Sequence, residues 1–114
     1  MVIHASQTTD LPLTSRMPSA VIGINDACAQ GAILAAQDHG LSVPGEVSVV
    51  GFDNSPFAVQ MRPPLTTVDF DYPLLGKTLI DVAIKAAQKE DPPRVTVIDT
   101  RLVIRESCRP LGGE

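Results

Sequence analysis

The run Glu46-Val47-Ser48-Val49-Val50-Gly51-Phe52-Asp53 constrains the fold more than any other stretch of the chain. A strand covered on both faces loses the alternation of a half-exposed one and becomes a continuous run of Val- and Ile-type residues, as in parallel sheets. Val47, Val49, Val50 and Phe52 fit that description. The run is therefore expected to be a central strand buried on both faces. Ligands of open α/β sheets bind just outside the carboxyl ends of the strands, which makes Asp53 the first candidate for recognition.

Upstream, residues 20–24 form a second short apolar run, followed at once by Asn25-Asp26 and by good helix formers over residues 27–39. Asp26 has the side-chain acceptor of an N-cap. His39 suits the negative end of such a helix, and Gly40 its left-handed cap position. Small residues, Ala29, Gly31, Ala32, Ala35 and Ala36, let the helix approach a sheet closely. Strand, helix and strand at this spacing predict a right-handed βαβ unit and a parallel sheet.

Beyond Asp53, Asn54-Ser55-Pro56 opens a loop in which residues 57–61 make a helical turn that Arg62-Pro63-Pro64 halts. Residues 65–68 are extended. Pro73 suits the first turn of a second helix over residues 74–88, in which Leu75, Leu79, Val82, Ala83 and Ala86 form an apolar stripe. Lys77, Asp81 and Lys85 lie opposite at i, i+4 spacing. After Asp91-Pro92-Pro93, two further strands are expected at residues 95–98 and 102–104. Residues 1–17 read as an irregular arm, 18–110 as the folded part and 111–114 as a loose tail.

The formal net charge of −4 and nine scattered basic residues speak against a nucleic-acid surface. No apolar run approaches the roughly 18 residues of a membrane span, and the first residues lack a signal-peptide pattern, so a cytoplasmic setting is expected. Cys28 and Cys108 lie far apart without metal-ligand spacing, which indicates neither a disulfide framework nor a zinc site. There is no phosphate loop, nucleophile elbow or His/Glu metal pair, so no catalytic residue, metal or cofactor is expected. His4 and His39 read as structural. Asp69 and Asp71, flanking Phe70, read as solvated loop charges. Asn25 and Asp53 each follow an apolar strand; with Phe57, Phe70 or Tyr72 near, an amide and a carboxylate suit a polyhydroxyl ligand. Turn capping accounts for their spacing equally well.

The motifs Asn25-Asp26, Gly31-Ala32, Gly40-Leu41-Ser42-Val43-Pro44, Val47-Ser48-Val49-Val50-Gly51-Phe52-Asp53-Asn54, Arg62-Pro63-Pro64-Leu65-Thr66-Thr67-Val68 and Leu102-Val103-Ile104-Arg105-Glu106-Ser107 occur in this order. Together they resemble the C-terminal end of LacI/GalR-type transcriptional regulators from about Pro18 to Pro110. The resemblance implies a truncated α/β lobe of the type I periplasmic-binding-protein-like fold, in which two lobes close on a small molecule, commonly a sugar or nucleobase. It carries ligand contacts onto Asn25, Asp53 and Tyr72, with Phe70 beside Tyr72. It further implies a small-molecule effector, foremost a sugar, and operator DNA contacted only through a helix-turn-helix that has no counterpart in these residues. Family members pair as homodimers through this lobe; Gln30 stands where many of them place an apolar dimer residue. A fragment of a periplasmic sugar-binding transport protein is the alternative with the same fold. In the family the chain crosses to the first lobe near Tyr72, so the helix that follows is expected to expose its apolar stripe.

Overall fold

The computed structural model describes residues 2–3 and 18–112. Five strands form one sheet in the order β1 (Val2–Ile3), β2 (Ala20–Gly23), β3 (Ser48–Phe52), β4 (Thr66–Phe70) and β5 (Thr100–Val103). The pairings β1–β2, β2–β3 and β3–β4 are parallel, with Val21 opposite Val49 and Val50 opposite Thr66. The expected βαβ unit is thus present. Val2 and Ile3 belong to a strand, which corrects the start of the irregular arm. The rest of that arm, with His4, and the last two residues of the tail lie outside the described residues.

Helix α1 (Asp26–Asp38) joins β2 to β3 and covers one sheet face. Its inward side buries Cys28 together with Ala29, Ala32, Ile33 and Ala36, and the last four meet Val21, Val47, Val49, Ala58, Met61 and Leu65 in the core. Small side chains bring helix and sheet together. At Gly23 an added Cβ would lie 2.7 Å from the Ala29 backbone nitrogen, so this close approach requires glycine. The helix stops as its sequence predicts: Gly40 adopts φ 75° and the His39 ring meets the Ala35 carbonyl at 2.8 Å.

Two expectations change here. The N-cap is Asn25, whose Oδ1 accepts the Cys28 amide at 2.8 Å, and not Asp26, which is the first helical residue and fully buried. The central strand is also covered on only one face. Val49 and Gly51 are buried, whereas Phe52 is 39% exposed and Ile22, opposite Val50 on β2, is 49% exposed. Parallel sheets are buried on both faces when helical crossovers lie on both. The connection from β3 to β4 instead carries a short 3-10 turn (Ala58–Gln60), whose Ala58 joins the α1 side of the core.

The C-terminal segment fastens β3 to β4. Ser107 is fully buried; its Oγ donates to the Val49 carbonyl and accepts the Thr66 amide, while its own carbonyl accepts the Val49 amide at 2.8 Å. Asp69 is buried on β4 at 9% exposure, which corrects its reading as a solvated loop charge.

The chain divides into two compact units, residues 1–69 with 102–114, and residues 70–101. The second contains α2 (Tyr72–Ala87), capped by Asp71, whose Oδ1 accepts the Leu74 amide at 2.9 Å. No residue of α2 is buried, and Leu79 and Ile80 are each 61% exposed. The predicted exposure of its apolar stripe is present. Leu75, Thr78, Leu79 and Val82 line a groove with Pro93, Arg94, Thr96 and Ile98. The strand expected at 95–98 does not form, because β-branched side chains favour extended chain but a strand exists only where its backbone finds a ladder partner. Residues 100–103 do find one, as β5.

Amide hydrogen exchange should therefore separate the units, with α2 exchanging faster than Val49 and Val50 by orders of magnitude; equal protection would contradict the packing described. Ser107→Ala orphans the buried Thr66 amide and leaves the Val49 carbonyl with Cys108 Sγ, a weaker donor, and should cost about 1–3 kcal/mol, read as a lower urea midpoint at unchanged slope.

Candidate functional site

Polar side chains converge just beyond the carboxyl ends of β2 and β3. Asp26 receives three hydrogen bonds there: the Ser55 amide and Ser55 Oγ reach Oδ2 at 2.7 Å each, and Thr67 Oγ1 reaches Oδ1 at 2.6 Å. A Cβ at Gly51 would collide with Asp26 Oδ1 and with Leu65 Cδ2, so the glycine in the central strand makes room for this carboxyl. Helix start, post-β3 turn and β4 are tied together at one buried group.

Asp53 stands at the carboxyl end of β3 as predicted, half-buried, with its backbone amide donating to the Val68 carbonyl at 2.9 Å. Asp53 and Asn54 have φ of 114° and 48°, a left-handed region that non-glycine residues rarely occupy. Asn54 donates its amide to Thr67 Oγ1 at 3.3 Å, and its Oδ1 accepts Arg105 Nη2 at 2.7 Å. Burial and the nearby charge of Asp26 raise the Asp53 pKa above the ordinary carboxylate value, while a hydrogen bond from the Asp26 backbone lowers it by less. Asn25 precedes Asp26, so the two recognition candidates of this unit meet around the first turn of α1. The cap engages Asn25 through Oδ1.

Phe70 and Tyr72 lie in the other unit. Their ring centroids are 4.4 Å apart at 41°, and Tyr72 is 47% exposed. Phe57 is exposed as well, after the post-β3 turn. Among the described residues no group of three or more His, Cys, Asp and Glu could hold a metal. Sequence reasoning missed Ser55, Thr67 and Arg105, and gave Asp26 the wrong task. Thr67 and Arg105 act across 41 and 51 residues, and no local pattern encodes such pairs.

The raised Asp53 pKa sets a pH test. The folded chain favours the protonated carboxyl more than the unfolded chain does, so ionisation costs stability as pH rises through the carboxylate range and the penalty persists above it. Asp53→Asn should accordingly raise the urea midpoint at about pH 7, and the gain should vanish towards about pH 3. A gain that is larger in acid would show that Asp53 acts instead as a stabilising cap of α1.

Residues 3–108 match the model of the periplasmic binding protein-like domain family. A lactose operon repressor of Rhizobium radiobacter is 32% identical over 92 residues, covering 81% of this chain and 81% of the relative. The regulator MalR of Streptomyces coelicolor is 36% identical over 113 residues, covering 98% of this chain but 33% of the relative. The structure of a transcriptional regulator CelR–cellobiose complex superposes with TM-score 0.70 at 30% identity, over 78% of this chain and 28% of that one. The chain thus spans about a third of the length of MalR and of CelR. In the CelR and MalR comparisons, as in the lactose operon repressor, the relatives are regulators of transcription, which favours that reading over the transport-protein alternative. The chain belongs to the periplasmic-binding-protein-like domain family, and it matches part of the sensor domain of LacI-type transcriptional regulators.

Proposed function

We propose that this chain supplies one wall of a sugar-effector site in a cytoplasmic LacI-type regulator, with Asn25 and Asp53 as its polar contacts. The observation that carries the reading is Asp53, a half-buried carboxylate at the carboxyl end of a central parallel strand, held in left-handed backbone. A carboxylate accepts hydrogen bonds from sugar hydroxyls and an amide both donates and accepts, so the pair suits a polyhydroxyl molecule. The solved relative in complex with cellobiose supports a saccharide as the effector class. Phe70 and Tyr72, on their own unit, are the rings suited to an apolar sugar face. In this reading the chain does no catalysis, and operator DNA is contacted by other parts of the regulator. Pairing with a second copy through this lobe belongs to the same proposal.

Titrating isotope-labelled chain with cellobiose, maltose and lactose tests the reading by NMR. Saturable shifts should centre on the amides of Asn25, Asp26, Asp53 and Asn54, and Asp53→Ala should weaken binding at least about tenfold, the worth of one charge-assisted hydrogen bond. Shifts confined to other residues, or an unchanged affinity in Asp53→Ala, would refute it.

With a net charge of −4, the chain should leave the fluorescence anisotropy of labelled duplex DNA unchanged at about 0.15 M salt. Salt-dependent, sequence-selective binding would contradict the assignment of DNA contact to other segments.

A further inference from the structure

We propose that Arg105 is a positioning residue for the recognition edge, acting on Asp53 through Asn54. The inference rests on the reading of Asp53 as an effector contact and adds a residue that this reading does not contain. Asp53 and Asn54 both hold positive φ, and sparsely populated backbone of this kind persists only where its surroundings over-determine it. Backbone amides are restrained along the turn: Asp53 donates to the Val68 carbonyl, Asn54 to Thr67 Oγ1, and Ser55 to Asp26 Oδ2. A further restraint grips a side chain, Asn54 Oδ1, through Arg105 Nη2 at 2.7 Å.

Arg105 is itself held at two points of the segment that starts β4. Its amide donates to Thr66 Oγ1 at 2.9 Å, and Nη1 donates to the Leu65 carbonyl at 2.8 Å. The guanidinium therefore spans from the start of β4 to the turn after β3 as a rigid, planar fork. An ammonium group is a single point of charge and does not reproduce that two-ended geometry. Both acceptors, the Leu65 carbonyl and the Asn54 amide oxygen, are neutral. A cation directed at a turn side chain, beside the residue proposed to meet the effector, fixes the orientation of that turn.

The test combines backbone geometry with binding, in Arg105→Lys, Arg105→Ala and Asn54→Ala. The three-bond HN–Hα couplings of Asp53 and Asn54 report φ directly, and a strap that merely held the fold would not move them in a variant that stays folded. They should shift in all three variants, with saccharide affinity reduced about tenfold, and Arg105→Lys combined with Asn54→Ala should lose no more than either alone. If Arg105→Ala does not fold, Arg105→Lys and Asn54→Ala carry the test. Native couplings in folded variants, or undiminished saccharide affinity in all of them, would overturn the proposal. Shifted couplings in a chain whose unsubstituted form binds no saccharide would uphold the role of Arg105 and sink only the sugar reading.

Discussion

The structure depends on a buried carboxyl side chain that three donors satisfy. Asp26 is fully buried, and a polar group in that position is tolerable only when its hydrogen bonds are complete. Ser55 supplies two of them and Thr67 the third, so the first turn of α1, the turn after β3 and strand β4 must be in place together. The need reaches into the sheet, because only glycine at position 51 leaves room for the Asp26 oxygen. Partial satisfaction of such a network is worse than an apolar core, which makes the arrangement close to all-or-none.

That same carboxyl makes life harder for its neighbour. Asp53 is partly desolvated and faces the charge of Asp26, and both effects disfavour its ionised form. Its backbone also occupies φ 114°, a conformation that a non-glycine residue rarely adopts, and the hydrogen bond from the Asp26 backbone offsets only part of the electrostatic cost. Electrostatic and conformational cost concentrated on one side chain at the carboxyl end of a parallel strand supports the proposed recognition role.

Much of this was legible in the chain, and the limits of legibility have physical causes. The β3 run, the βαβ spacing, the small inward face of α1 and the glycine that ends it are local patterns, and each became the element it implied. Asn25 and Asp26 are both good caps, however, and periodicity does not say which one turns towards solvent. The choice was made by Thr67, 41 residues away. The apolar run of β3 encodes what the strand tolerates on each face, whereas its cover must come from other segments; Phe52 and Ile22 stay exposed because α1 lies on the other side. Residues 95–98 have the composition of a strand without the ladder partner that makes one.

The two helices show how differently the same local signals are used. α1 buries six of its thirteen residues and is fixed by packing, while α2 buries none and has its Asp71 cap, the exposed Lys77–Asp81 pair and the shallow groove it shares with residues 93–98. A cap contributes about 1 kcal/mol and an exposed i, i+4 pair only a few tenths, too little to hold a sixteen-residue helix as rigidly as a core does. The recognition edge does not inherit that weakness. Asp26, Thr67, Val68 and Arg105, which restrain Asp53, Asn54 and Ser55, all belong to the unit that contains α1 and the sheet core. The geometry proposed to read an effector is thus anchored in the best-packed part of the chain.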